Sequence, residues 1–518
     1  MKALRTTTCL LFVTAGLTFS AGCKTREEFA RDVGLSRSAA YRQWQSRKVQ
    51  EEGQQPRISG KLSLEDCIKL TLTHNKMLQR TLEEREVARG QLVSSRSAYL
   101  PSVGLSSQYR RVEEVPSFDI PTPLGTTEHV SIGNIETYSA VLNVTQPIYA
   151  GGAISAQVRL ARLGSLLADH TIRAATQDVV YAAETAYYNL LFSQHQVEIN
   201  SDAVRAAKVH LDNVEKRRAG GVVSDFDVLR AQVELSNFEA ELIRSKNAID
   251  IARANLIKVM GVSQDSDFAL SDEFVFAPIK VPMEEAVGTA FKNRPDLYSR
   301  EYQIRIQREQ LQVARSRYLP TVSGFFNDTW SKPSPTTFAS VTPEWGRLWD
   351  AGIQSTWPIF DGFRRGGEII QAKARLRQAQ IDLVDTEETA VFELTQAILS
   401  MENAEEFVQS QRLNLTRATE GLRLAEVGYQ QGVNTQVEVI DAQSALTTAR
   451  VNYYQAIHAH VTSKLAVQRA MGTIVAAGGP MIEDGGQKTE DREQPAVLRS
   501  PSSVVQPSEG GSEQDENS

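Results

Sequence analysis

The stretch QPIYAGGAISAQ, Gln146 to Gln157, and the stretch WPIFDGFRRGGEIIQ, Trp357 to Gln371, carry one pattern of punctuation at two distant places. Pro147 matches Pro358, Tyr149 matches Phe360 and Gly151 matches Gly362, each pair 211 residues apart. Met260-Gly261 returns at Met471-Gly472 with the same offset, and SAYLPSVG returns as SRYLPTVSG with Pro101 and Pro320 separated by 219. A unit written twice folds as two similar halves that pack on each other. The offset falls by 8 between the two prolines of each copy. The first copy therefore holds a longer excursion between Pro101 and Pro147, and such a difference belongs in a loop.

Each copy shows the same order of periodicities. Leu62 to Ala98 is helix-like; then Val103, Leu105 and Tyr109 alternate with Gly104, Ser106, Gln108 and Arg110, as in a strand with one apolar face. Tyr138, Ala140, Leu142 and Val144 alternate with Ser139, Val141, Asn143 and Thr145 in the same way. The second copy answers with Val322, Gly324, Phe326 and Trp330, then with Trp349, Ala351, Ile353 and Trp357. Each run has about the ten residues that a tilted membrane strand needs. Proline lacks a ladder donor and glycine permits sharp turns. Pro147, Gly151, Pro358 and Gly362 therefore mark the passage from strand to helix.

A proline-free helix is expected from about Gly152 to Arg218, with Val180, Ala183, Tyr187, Leu190, Gln194 and Val197 stepping by 3 and 4 as in a coiled coil. Some 65 residues would reach roughly 100 Å. After Gly220-Gly221 a helix of about half that length should run to Met260.

The ends read differently. MKALRTTTCLLFVTAGLTFSAGC has early cations, an apolar stretch and small residues before Cys23, the layout of an export signal over 1–22. Ser20-Ala21-Gly22-Cys23 resembles the bacterial lipobox, with Ser20 where leucine is usual, so Cys23 is the expected lipidation site. Cys9 would leave with the signal, and Cys67 would remain alone, so no disulfide can form within one mature chain. Residues 23–60 read as a lipid-anchored tether with a short helix near Ala39 to Lys48. Residues 61–270 and 271–477 are the two repeats, and 478–518 are too polar to fold and form a disordered tail. The formal charge of -7 gives no general attraction to nucleic acid.

Four amphipathic strands cannot close a barrel, and an open edge is not tolerated in lipid, so several copies must combine. The duplicated order of helix, YLP strand, strand ending in QPIYAGG or WPIFDG, long helix, GG or QG turn, and LRAQ or IDAQ helix resembles the TolC family of outer-membrane efflux proteins from Leu62 to Gly472. The resemblance implies a fold that is mainly α with a membrane β-barrel portion. In it a homotrimer forms a twelve-stranded barrel and a long periplasmic α-helical barrel. It also implies a periplasmic adaptor, an inner-membrane pump of resistance-nodulation-division type, outer-membrane lipid around the barrel, and no cofactor. A type I protein-secretion system is the alternative. From another class, a soluble periplasmic coiled-coil scaffold would extract into buffer without detergent.

The resemblance places adaptor docking at the helix-turn-helix ends, Gly220, Gly221, Val222, Val223 and Ser224 in one copy and Gln431, Gly432, Val433, Asn434 and Thr435 in the other. It places the periplasmic gate at Glu438 and Asp441, with tethers at Asp227 and Tyr429; the tether arginine falls on Asn434. Ser224 with Asp227, and Thr435 with Glu438, are also spaced as capping boxes. Asp441 corresponds to Arg230 in the first copy, so the two copies carry opposite charges there, and Arg230 is the expected substitute for the missing cation.

Enzyme chemistry has little support. His458 and His460 are two apart on a helix and diverge by about 200°, too far to chelate one metal. DGFRRGG, Asp361 to Gly367, lacks the lysine and spacing of a phosphate loop and reads as a turn with basic surface residues.

Overall fold

The computed structural model describes residues 26–51, 57–121, 125, 127–131, 133–334 and 344–474. The expected signal segment, Cys23 and the tail from 478 lie outside these residues.

The first copy contains β1 (Ser59–Leu62), α2 (Leu64–His74), α3 (Lys76–Ser97), β2 (Ser102–Arg111), β5 (Glu136–Ala150), α4 (Ala153–Ala219) and α5 (Asp225–Met260). Ahead of it stands α1 (Arg26–Glu51), and within it the hairpin of β3 (Ser117–Pro121) and β4 (Thr127–Ser131) sits between β2 and β5. The longer excursion of the first copy holds this hairpin. The second copy follows β6 (Asp267–Leu270). It holds α6 (Met283–Asn293), α7 (Pro295–Ser316), β7 (Thr321–Lys332), β8 (Gly346–Thr356), α8 (Arg364–Gln430) and α9 (Gln436–Ala470). Helices α4 and α8 are each 67 residues long, about 100 Å at the helical rise.

Strand order in the main sheet is β2-β5-β7-β8, antiparallel throughout. Tyr109 faces Tyr138 and Leu105 faces Leu142, and on the same side Leu142 faces Asp328 and Val144 faces Phe326. One side of the sheet therefore gathers Val103, Leu105, Tyr109, Leu142, Val144, Phe326, Trp349 and Ile353, with the ion pair of Asp328 and Arg347 among them. The other gathers Ser106, Gln108, Asn143, Asn327 and Asp350. Asn143 donates to Asn327 Oδ1 at 2.5 Å, and Asn327 donates to Asp350 Oδ2 at 3.0 Å.

Two cores lie at the middle of the long helices and are one core written twice. Ala183, Tyr187, Leu190 and Leu256 are buried in the first, and their equivalents 211 residues on, Leu394, Ile398, Met401 and Val467, are buried in the second. Each fully buried large side chain contributes about 1.5–3 kcal/mol. Tyr187 also donates its hydroxyl to Leu62 O at 3.1 Å and Asp272 Oδ2 at 2.7 Å, fastening β1 to the long helix. Of the expected coiled-coil positions, Val180, Ala183, Tyr187 and Leu190 are buried, while Gln194 and Val197 are half-buried in a single subunit. Cys67 is a free, fully buried thiol, pushed up to about 12 by burial.

Several expectations need correction. Leu62 to Ala98 is not one helix: Leu62 closes β1 against β6, and Asn75 breaks the rest. Its side chain caps α3 by accepting from Met77 N and Leu78 N at 2.9 and 3.0 Å. The helix expected near Ala39 to Lys48 runs from Arg26 to Glu51. Pro147 does not end its strand; β5 continues to Ala150 through a bulge between Pro147 and Tyr149, which absorbs the missing donor. In the second copy β8 stops at Thr356, so Trp357 lies just past it and donates its indole N–H to Tyr318 O at 3.0 Å. Arg365 is buried rather than a surface cation. It pairs with Asp361 and donates to Pro358 O at 2.6 Å and Ile359 O at 3.1 Å, carbonyls left without a strand partner. His458 and His460 need no correction, being packed helix histidines: His458 Nε2 lies 2.8 Å from Asn189 Oδ1, and the His460 ring meets Phe276 at 4.9 Å. Burial holds both below the usual histidine range.

Candidate functional site

Two regions carry residues whose partners are not supplied by packing within the chain: the tip where the long helices turn, and the edges of the sheet.

At the tip, α4 ends on Lys216, Arg217 and Arg218, and the chain reverses through Gly220 and Gly221. Val222 N donates to Arg217 O at 3.0 Å and Gly221 N to Arg218 O at 2.8 Å, the two bonds of a left-handed helix stop. Gly221 and Gly432 have φ of +75 and +74, with open space where a Cβ would stand. Ser224 then caps α5 and Thr435 caps α9, both with reciprocal bonds to the residue three further on. The Asp227 carboxylate accepts from Ser224 N at 3.0 Å and is held below its usual range by Ser224, and the Glu438 carboxylate accepts from Thr435 N at 2.9 Å. Asp227, expected as a tether, and Glu438, expected in the constriction, are thus engaged in caps within the subunit. Asp441 and Arg230 are exposed one turn further on. Val222, Phe226, Leu229 and Val433 are exposed apolar side chains around the same turns.

The two hairpins of one subunit, α4 with α5 and α8 with α9, touch through contacts that sequence reasoning missed. The Arg217 guanidinium lies 4.3 Å from the centre of the Tyr429 ring and donates to Tyr429 O at 3.3 Å. Gln436 Nε2 donates to Asp227 O at 2.9 Å. The Tyr429 hydroxyl is buried without a partner among the described residues, so Asp227 and Tyr429 are not joined within the subunit. Below them a cavity of about 660 Å³ is lined by His210, Arg217, Phe238, Tyr429, Ile440 and Gln443. Burial, and then the Arg217 charge, hold His210 below the usual histidine range.

At the sheet, β2 and β8 are outer strands, each paired on one side. The strand-to-helix corners differ in a matching way. At Gly151, φ +60, an added Cβ would stand 2.6 Å from Ser316 O and 2.9 Å from Leu319 Cβ, so the first copy's corner is filled by the second copy. Gly362, φ +66, has nothing within 4 Å. Along α8, Ile370, Ile381, Phe392 and Leu399 are exposed at spacings of 11, 11 and 7, which is one stripe of a helix. On α4 the equivalents of the first two positions are Arg159 and His170, and each meets a partner within the chain. Arg159 pairs with Glu309 of α7 at 2.9 Å, and His170 stacks on Tyr298 at 4.8 Å. Among the described residues no helix is long and apolar enough to cross a membrane, and no group of three or more His, Cys, Asp or Glu side chains could hold a metal.

An antiparallel sheet with one apolar face and two unpaired edges, standing on helices of about 100 Å, defines a subunit of a barrel-and-helix conduit. The family model of the outer membrane efflux proteins matches residues 67–262 and 286–473, one match per copy, and the chain belongs to that family. It is 23% identical over 450 residues to the outer membrane protein TolC of Escherichia coli, covering 85% of each chain. It is likewise 23% identical over 416 residues to the cobalt-zinc-cadmium resistance protein CzcC of Cupriavidus metallidurans, covering 80% of this chain and 91% of that one. Among solved structures, the CmeC outer membrane channel of Campylobacter jejuni superposes with a TM-score of 0.67 at 18% identity, over 79% of this chain and 85% of that one.

Proposed function

We propose that three copies of this chain close a lipid-anchored outer-membrane channel, through which an inner-membrane pump of resistance-nodulation-division type, coupled by a periplasmic adaptor, expels its cargo. The observation that carries the reading is the pair of free edges on a sheet with one apolar and one polar face. In lipid such edges must be paired. Three sheets of four strands give a twelve-stranded barrel, apolar side outward and the Asn143, Asn327 and Asp350 side toward the lumen.

The duplication supports one particular join between neighbours. Within the chain β5 of the first copy pairs with β7 of the second, so β8 takes the place of β5 and β2 of the next subunit takes the place of β7. Val144 faces Phe326; adding 211 to one number and subtracting 219 from the other sets Ser355 opposite Ser107 of the neighbour. The same step brings the neighbour's Ser97 and Leu100 to Gly362, where the isolated subunit leaves space. In the double variant Ser107→Cys, Ser355→Cys, oxidation should give covalent trimers on a denaturing gel. A pair displaced by two residues, Ser107→Cys with Ile353→Cys, should not. Cross-linking of the displaced pair alone, or of neither, would overturn this assembly.

Cys23 carries the lipid in this reading. Cys23→Ser should abolish incorporation of labelled palmitate while the trimer stays in the membrane fraction, because its apolar belt anchors it independently. Palmitate retained in that variant would remove Cys23 as the acceptor. The adaptor meets the tip turns, where Val222, Phe226 and Val433 offer apolar contact. Cargo is chosen by the pump; the relatives' names range from toluene efflux to cobalt, zinc and cadmium resistance.

A further inference from the structure

We infer that Arg217 is the latch of the closed tip: its guanidinium clasps the ring and carbonyl of Tyr429 and holds the two helical hairpins of one subunit together. The inference rests on the channel reading, and it names a residue that the resemblance does not supply.

Three observations carry it. First, Arg217 reaches across from the end of α4 to the end of α8, with its guanidinium 4.3 Å from the ring centre and a hydrogen bond of 3.3 Å to the Tyr429 carbonyl. Both side chains are half-buried, so the pair is shielded from the water that weakens exposed contacts. Second, the residue at the expected arginine position is occupied otherwise. The Asn434 amide packs over Gly428, within 2.6–2.9 Å of where a Cβ would be, and Asn434 N donates to Gly428 O at 3.1 Å. Asn434 therefore serves its own turn and reaches no other hairpin. Third, the Tyr429 hydroxyl has no partner among the described residues, while the Asp227 carboxylate accepts from Ser224 N and Oγ through Oδ2. What holds Tyr429 is its ring and its backbone.

The duplication shows that the contact is one-sided. The equivalent of Arg217 in the second copy is Gly428, and the equivalent of Tyr429 in the first is Arg218. The mate of this contact, between the second copy of one subunit and the first copy of the next, pairs Gly428 with Arg218, a cation with no ring to meet. The trimer thus has one latch inside each subunit and none of this kind between subunits. Opening then begins with α8 and α9 swinging away from α4 and α5 of their own chain.

Single-channel recording in planar bilayers separates the possibilities, with trimer recovery from detergent checked for every variant. Arg217→Gln and Tyr429→Leu should each shift the closed–open equilibrium toward open by roughly tenfold, the range expected for losing a shielded cation–ring contact. Arg217→Lys should fall between, since lysine keeps the charge but not the stacked plane. Tyr429→Phe should behave as the wild type. Silent Arg217→Gln together with a raised opening in Tyr429→Phe would overturn the latch and restore a hydroxyl tether. Hydrogen exchange of the tip reads the latch independently of conduction: Arg217→Gln should speed exchange over residues 424–434, and unchanged exchange would overturn it. A wild type that never conducts would strike the channel reading, while the exchange result would still judge the contact.

Discussion

Replacing Gly432 with tryptophan is expected to abolish pump-driven export while leaving intact trimers in the membrane. Gly432 and its equivalent Gly221 both stand at positive φ, and a Cβ at either meets no atom within 4 Å. The cost to the fold is therefore backbone strain alone, roughly 1–2 kcal/mol at an exposed turn. That is small beside the two buried cores and the sheet pairings that hold the subunit. What changes is the outer contour of the turn, beside Val433 on one side and the Thr435 cap on the other. A bulky side chain there would stand on the surface proposed above for the adaptor. The check is export from cells carrying the variant in place of the wild type, read beside trimer abundance in the outer-membrane fraction. Loss of the trimer would mean that the glycines serve only to end their helices.

The second large effect is expected one turn inside the tip. Asp441→Ala and Arg230→Ala should each raise single-channel conductance, and the exchange Arg230→Asp with Asp441→Arg should recover much of the closed state. The duplication motivates this, because equivalent positions carry opposite charges, and the proposed trimer, with its copies alternating around the end, would set the two at one height. Both groups are exposed in the single subunit, so each pair contributes no more than about 1 kcal/mol. Three pairs acting together should still bias the end measurably toward closure, and raised salt should weaken the bias. Asp227 and Glu438 differ, since a cap within the subunit already accounts for each. Unchanged conductance in both single variants would leave Asp441 and Arg230 as solvated helix charges.

Much of this molecule can be read from its residues because the same instructions occur twice. The period-2 runs at Val103 and Trp349 and the uninterrupted stretch after Gly152 placed strands and long helices close to where they stand. The errors came where a local device overrode a local rule. A bulge carried β5 past Pro147, an asparagine cap broke a helix without proline or glycine, and the buried Arg365 served carbonyls that no strand pairs. The tip showed the sharper limit. Capping boxes involve neighbours three apart and were legible, whereas Arg217 and Tyr429 are 212 residues apart at positions the duplication does not equate. No spacing rule links such a pair; only the packed hairpins bring it together.

The measurement that bears most directly on the channel is the mass and conductance of the full-length protein extracted from membranes. The account expects extraction only with detergent, a native mass of three chains, and discrete single-channel currents in planar bilayers whose open fraction rises when Arg217 is changed to glutamine. A monomer recovered in buffer without detergent, giving no current at any voltage, would contradict it.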